Sequence, residues 1–170
     1  MPEYADIYAL SEGRTVRAIT RFLDCFLPSR VESADEYEIP QYSDSPTTVY
    51  TKASDLIHHC CAIRNEVHTI YWRSDATPEH ATVFFLADGG VVLGVSTPAE
   101  DSTRVDYIAS KLERFVERDE VIVTYEDLPP GSLQEFRELL LRLEPKPDET
   151  VRHSRVHRPI KSESGSRGQR

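Results

Sequence analysis

The sequence predicts an α+β domain running to about Glu144, followed by a basic tail. Three observations predict it. Helical spacing of apolar residues alternates with short runs rich in β-branched and aromatic residues. Two strongly apolar runs are joined by Asp88-Gly89-Gly90. After Glu144 the pattern stops, and Pro145, Lys146, Pro147 and Asp148 read as a linker. The expected architecture is an antiparallel or mixed sheet of about five or six strands. Three main helices, 14–27, 102–118 and 132–143, are expected largely on one face, with 145–170 a disordered tail.

Tyr4 to Leu10 reads as the first strand. Val16, Ile19, Leu23 and Phe26 then form one apolar helical stripe, which Pro28 ends. The segment from Val31 to Thr51 is acidic and tyrosine-bearing. Tyr37–Ile39 and Thr47–Tyr50 read as short strands there, with Pro40 and Pro46 arguing against a long central one. Ser54 is expected to cap a short helix to about Arg64, with Leu56, Cys60 and Ile63 on one face. Glu66–Arg73, Thr82–Ala87 and Val91–Val95 read as a three-stranded antiparallel meander. Both hairpin arms are apolar on nearly every residue, so both faces are expected to be covered. Glu100 and Asp101 sit where a helix carrying Val105, Ile108, Leu112 and Phe115 begins. Glu120–Tyr125 reads as a strand. Ser132-Leu133-Gln134-Glu135 is a capping box for a helix lined by Leu133, Phe136, Leu140 and Leu143.

The 170 residues suit one domain with an appendage. Net charge is -9, from 20 bases and 29 acids. Residues 145–170 hold seven bases and three acids, so the tail is +4 and the body -13. Such a body repels nucleic acid and attracts basic partners, although acidic surfaces also simply confer solubility. Cys25, Cys60 and Cys61 make no disulfide framework. The N-terminus lacks signal-peptide character, and no apolar run is long enough to span a bilayer. A reducing cytoplasm is the expected location.

No catalytic, metal or cofactor motif stands out, and none of these is expected. In His58-His59-Cys60-Cys61, adjacent helical residues point about 100° apart and cannot converge on one ion. Phe22 and Phe26 suggest a buried, inert Cys25 thiol. Glu66, His68 and His80 are the groups an enzyme would use, were they to converge in a cleft. Arg14, Arg17 and Arg21 read as a solvated basic stripe. The tail arginines Arg152, Arg155 and Arg158 offer a nucleic-acid contact without aromatic stacking partners.

The most suggestive surface is the segment carrying Glu32, Asp35, Glu36, Tyr37, Glu38, Tyr42 and Asp44. Carboxylates steer basic proteins, and tyrosines give contact area at low entropic cost. The alternative is a solvated connection with its tyrosines packed inward. In size, acidic body, the Tyr71-Trp72-Arg73 strand and the Asp88-Gly89 hairpin, the chain resembles the small acidic immunity proteins of bacterial toxin–immunity systems, or another bacterial family of the same build. The resemblance implies a cytoplasmic inhibitor that binds a basic toxin and has no catalytic residues.

Overall fold

The computed structural model describes residues 2–117 and 120–143. The chain runs β1 (Tyr4–Leu10), α1 (Val16–Phe26), β2 (Arg30–Glu32), β3 (Tyr37–Ile39), β4 (Thr48–Tyr50), α2 (Ala53–Ala62), β5 (His68–Ser74), β6 (His80–Phe85), β7 (Val91–Pro98), α3 (Ser102–Val116), β8 (Val121–Thr124) and α4 (Leu133–Leu143). Six strands form one sheet in the order β2-β5-β6-β7-β1-β8, every neighbouring pair antiparallel. β3 and β4 form a separate two-stranded hairpin. The α+β expectation and the β5–β6–β7 meander hold. The tail 145–170 lies outside the described residues.

Period-2 alternation divides the sheet into two faces. Ile7, Ile70, Val83, Leu93 and Val123 point to one side, where Phe22, Leu56 and Leu112 of α1, α2 and α3 complete the main core. Tyr8, Leu10, Phe84, Val92 and Ile122 point to the other, and Phe136 of α4 closes a smaller core there. Helix 132–143 was expected with the others but takes the opposite face. Leu10, Leu86, Val92 and Ile122 need an apolar cover on that side too.

Several side chains tie loops to this frame. Thr15 caps α1, and Asp101 caps α3 through the Arg104 N–H. Ser54, expected to cap α2, lies inside the helix. The cap residue is Lys52, and its side chain makes no capping bond. The Glu32 carboxylate performs that role from β2, taking the Ala53 N–H at 2.9 Å and the Tyr37 hydroxyl at 2.9 Å through one oxygen. The α4 capping box forms in part. Ser132 accepts the Glu135 N–H, but Glu135 reaches the Gly131 N–H rather than that of Ser132. Asp88, in a turn made possible by the positive φ of Gly89, supplies a further cap by accepting the Leu133 N–H at 2.7 Å.

Arg14 is no part of a solvated stripe. Its Nε donates to the Cys60 carbonyl at 2.6 Å, and Nη1 to the carbonyls of Leu86 (2.9 Å) and Gly90 (3.4 Å). Nη2 donates to those of Ile63 (3.2 Å) and Glu66 (2.5 Å). The guanidinium also lies 4.9 Å from the Phe85 ring centre. One side chain thus joins the negative end of α2, the β6–β7 turn and the entry to β5.

Candidate functional site

The second sheet face changes character along its strands. Its apolar half lies under α4. The half toward Tyr4 carries polar and aromatic residues. Strand register sets these in rows. One row runs Tyr71–Thr82–Gly94–Tyr8 across β5, β6, β7 and β1. The next runs Arg73–His80–Ser96–Asp6–Thr124. Strands lie about 4.8 Å apart, so each row is a continuous strip. A Cβ at Gly94 would meet the Tyr8 ring at 2.8 Å, so glycine lets that ring lie down on the sheet. Tyr8 and Tyr71 both approach Phe84 edge-on, with ring centres 5.8 and 6.3 Å away. Above this floor is a hollow of about 320 Å³, walled by Asp6, Glu126, Asp127 and Leu128.

A second hollow of about 220 Å³ adjoins it, lined by Glu36, Glu38, Gln41, Tyr42 and His68. Tyr71 lines both and is the wall they share. Among the described residues, no lysine or arginine lines either hollow. Three large exposed side chains line them, Tyr42 83%, Leu128 75% and Tyr71 43% exposed. Non-glycine residues with positive φ occur at Tyr42 (61°), Glu126 (59°) and Glu117 (55°). Two of these three line the hollows, and the left-handed conformation costs about 1–2 kcal/mol per residue.

Asp6 is the half-buried carboxylate of the first hollow. Its Oδ1 accepts the Ser96 hydroxyl at 2.5 Å. Burial raises its pKa above the ordinary aspartate value. Hydrogen bonds from Ser96 and the Glu126 backbone only partly offset burial, and the charges of Glu126 and Asp127 add to the rise. Burial likewise keeps the Tyr8 hydroxyl protonated, and it donates to the Asp127 carbonyl at 3.1 Å. A carboxyl whose folded pKa is raised costs stability above that pKa, and the cost vanishes below the unfolded value near 3.8. Asp6→Asn is therefore expected to match or exceed wild-type stability at pH 7. The difference should close as pH falls toward the unfolded value. Chemical denaturation across pH 3–8 measures it, and a variant less stable at pH 7 would contradict the assignment.

The acidic segment divides between the two alternatives the sequence left open. Glu36, Glu38 and Tyr42 line the second hollow. Glu32 has its carboxylate committed to Tyr37 and Ala53. Tyr37 also lines this hollow but is only 4% exposed. Burial first, then its bond to Glu32, raise its pKa. Asp35 and Asp44 are exposed and line neither hollow. Gln41 seals the β5 edge where β2 ends. Its amide donates to the Thr69 carbonyl at 3.1 Å and accepts the Thr69 N–H at 2.8 Å, as a neighbouring strand would.

The groups weighed for enzyme chemistry separate. His68 is 1% exposed on the helix-covered side, its ring nitrogens each 3.1 Å from a carbonyl, of Thr69 and of Glu38. Burial lowers its pKa against those two bonds, which favour the charged form. His80 stands on the opposite face against Tyr4. Glu66 precedes β5 and meets His59, at 3.4 Å, rather than His68. His59 also meets the Tyr50 hydroxyl at 3.0 Å, tying β4 to α2. Neither hollow is lined by Tyr50, His59 or Glu66. Cys60 is buried, which pushes its thiol up to about 12. Cys25, expected to be buried, is exposed, while its neighbour Phe22 is buried and Phe26 partly so.

Sequence reasoning missed Tyr4, Asp6, Tyr8, Tyr71, Glu126 and Asp127 as one surface. Comparison with known protein families, curated proteins and solved structures finds no match to this chain.

Proposed function

We propose that this chain is a non-enzymatic protein-binding module that takes a basic partner on the tyrosine and carboxylate strip of its open sheet face. One observation carries the reading: two adjoining hollows, joined by Tyr71, are walled by Asp6, Glu36, Glu38, Glu126 and Asp127, with no lysine or arginine lining them among the described residues. Tyrosines bury area with little entropy loss, and carboxylates in the hollow walls steer a basic protein and favour arginine over the rings. An immunity protein that neutralises a basic toxin in the cytoplasm fits this mode of action. Glu36, Glu38 and Tyr42 belong to the strip, whereas Asp35 and Asp44 lie outside it.

The test is affinity capture from source-cell extract on immobilised wild type, Tyr71→Ala and the double variant Glu36→Lys/Glu38→Lys. A specific partner should be retained by wild type and lost from both variants. It should elute at about 1 M salt, where the Debye length is about 3 Å. Where a toxin gene neighbours this one, co-expressed wild type should relieve toxicity and Tyr71→Ala should not. A partner held equally well by all three proteins would sink the site.

A further inference from the structure

The strip leaves open what it meets when no partner is bound. We infer that its occupant in the free protein is the chain's own basic tail, residues 145–170. This rests on the reading of the strip as a surface for basic segments. Charge is the first argument. The tail is +4, while the walls of the hollows carry carboxylates and, among the described residues, no lysine or arginine. Five of the seven tail bases are arginines (Arg152, Arg155, Arg158, Arg167 and Arg170), whose flat guanidinium groups stack on tyrosine better than an ammonium group does.

Placement is the second argument. The tail follows α4, the helix that covers the other half of the same sheet face. Phe136 of α4 shares a core cluster with Tyr8 and Phe84, and both of those line the first hollow. The helix that precedes the tail therefore packs on the sheet face that carries the strip.

Reach and concentration complete the case. Extended, the 26 residues 145–170 span up to about 85 Å, against a radius of gyration of about 14 Å for a domain of this size. A tether of this kind gives an effective concentration on the order of 1 mM. Intrinsic binding with Kd on the order of 1 mM then fills the strip about half the time. A weak occupant of this sort screens the tyrosines yet yields to a tighter partner, whose apparent affinity falls by the fraction of strip already filled.

The experiment uses the full chain labelled with nitrogen-15, in wild-type form and as the triple variant Arg152→Ser/Arg155→Ser/Arg158→Ser. Amide shifts of Asp6, Tyr71, Thr82 and Ser96 should differ between the two proteins, and those of α1 and α3 should not. The difference should collapse at about 1 M salt and stay constant on dilution. Identical strip shifts in the two proteins overturn the inference, as do changes confined to another face. A difference that fades on dilution also overturns it, since the tail of a second copy is then the occupant. Titrating hexa-arginine into the triple variant separates this inference from the reading beneath it. Saturable strip shifts with hexa-arginine but none from the tail leave the binding surface standing and remove only the tail. No response to either removes both.

Discussion

Arg14→Ala is expected to lower global stability by about 3–5 kcal/mol, because a half-buried guanidinium is taken from five backbone carbonyls at roughly 1 kcal/mol each. Five carbonyls, of Cys60, Ile63, Glu66, Leu86 and Gly90, lose their shared donor at once. They belong to the end of α2, the β6–β7 turn and the entry to β5. For a domain of this size the melting temperature should fall by about 10–15 °C. Arg14→Lys keeps the charge but not the planar fork, so it should recover less than half of the loss. Calorimetry and chemical denaturation of the three proteins give the comparison. A loss below about 1 kcal/mol for Arg14→Ala would show that water replaces the clamp.

Phe136→Ala should act locally. Phe136 is the only fully buried residue of α4 and is 0% exposed. Truncating a buried phenylalanine costs about 3–5 kcal/mol, more than the remaining attachments of this helix are expected to withstand. Those are the partly buried Leu133, Leu139 and Leu140, and the bond from the Leu133 N–H to Asp88. The expected result is loss of amide protection across Gln134–Leu143, with protection retained in β5, β6 and β7. Exposure of Leu10, Phe84 and Val92 should also raise binding of a hydrophobic dye. Retained protection in α4 would contradict its dependence on this one side chain.

Every element but β2 was legible in the sequence, the three-residue β3 and β4 included, and the clearest were those with long, unambiguous periodicity. β1, α1, the β5–β6–β7 meander and α3 each present an uninterrupted apolar stripe or run. β2 escaped notice because Arg30-Val31-Glu32 has three residues and one apolar side chain, and pairing with β5 alone makes it a strand. The side taken by α4 was not legible, since an apolar helical stripe does not say which sheet face needs cover. The decisive pattern was nonetheless present in β1, where Tyr4, Asp6 and Tyr8 alternate with Ala5, Ile7 and Ala9.

What turns that alternation into a site is register. Tyr8 meets Gly94 and Gly94 meets Thr82 through pairings between strands far apart in sequence, and no local signal encodes the offset. The acidic segment was visible by composition, yet composition cannot tell Glu32, bound to Ala53 and Tyr37, from Glu36, which faces a hollow. Glu126 was invisible for a related reason. Its place depends on a left-handed turn that carries its N–H to Asp6.

The central claim is that a basic partner is held by the strip and not by some other surface of an acidic molecule. Tyr107 provides an internal control. It is 50% exposed on α3, against 43% for Tyr71, and lies on the helical side of the sheet. The most direct measurement is calorimetric titration of the purified partner into wild type, Tyr71→Ala and Tyr107→Ala. Tyr71→Ala should weaken binding about 30-fold, a hot-spot loss of about 2 kcal/mol, while Tyr107→Ala stays within about twofold of wild type. Equal losses from the two variants, or a larger loss from Tyr107→Ala, would contradict the account.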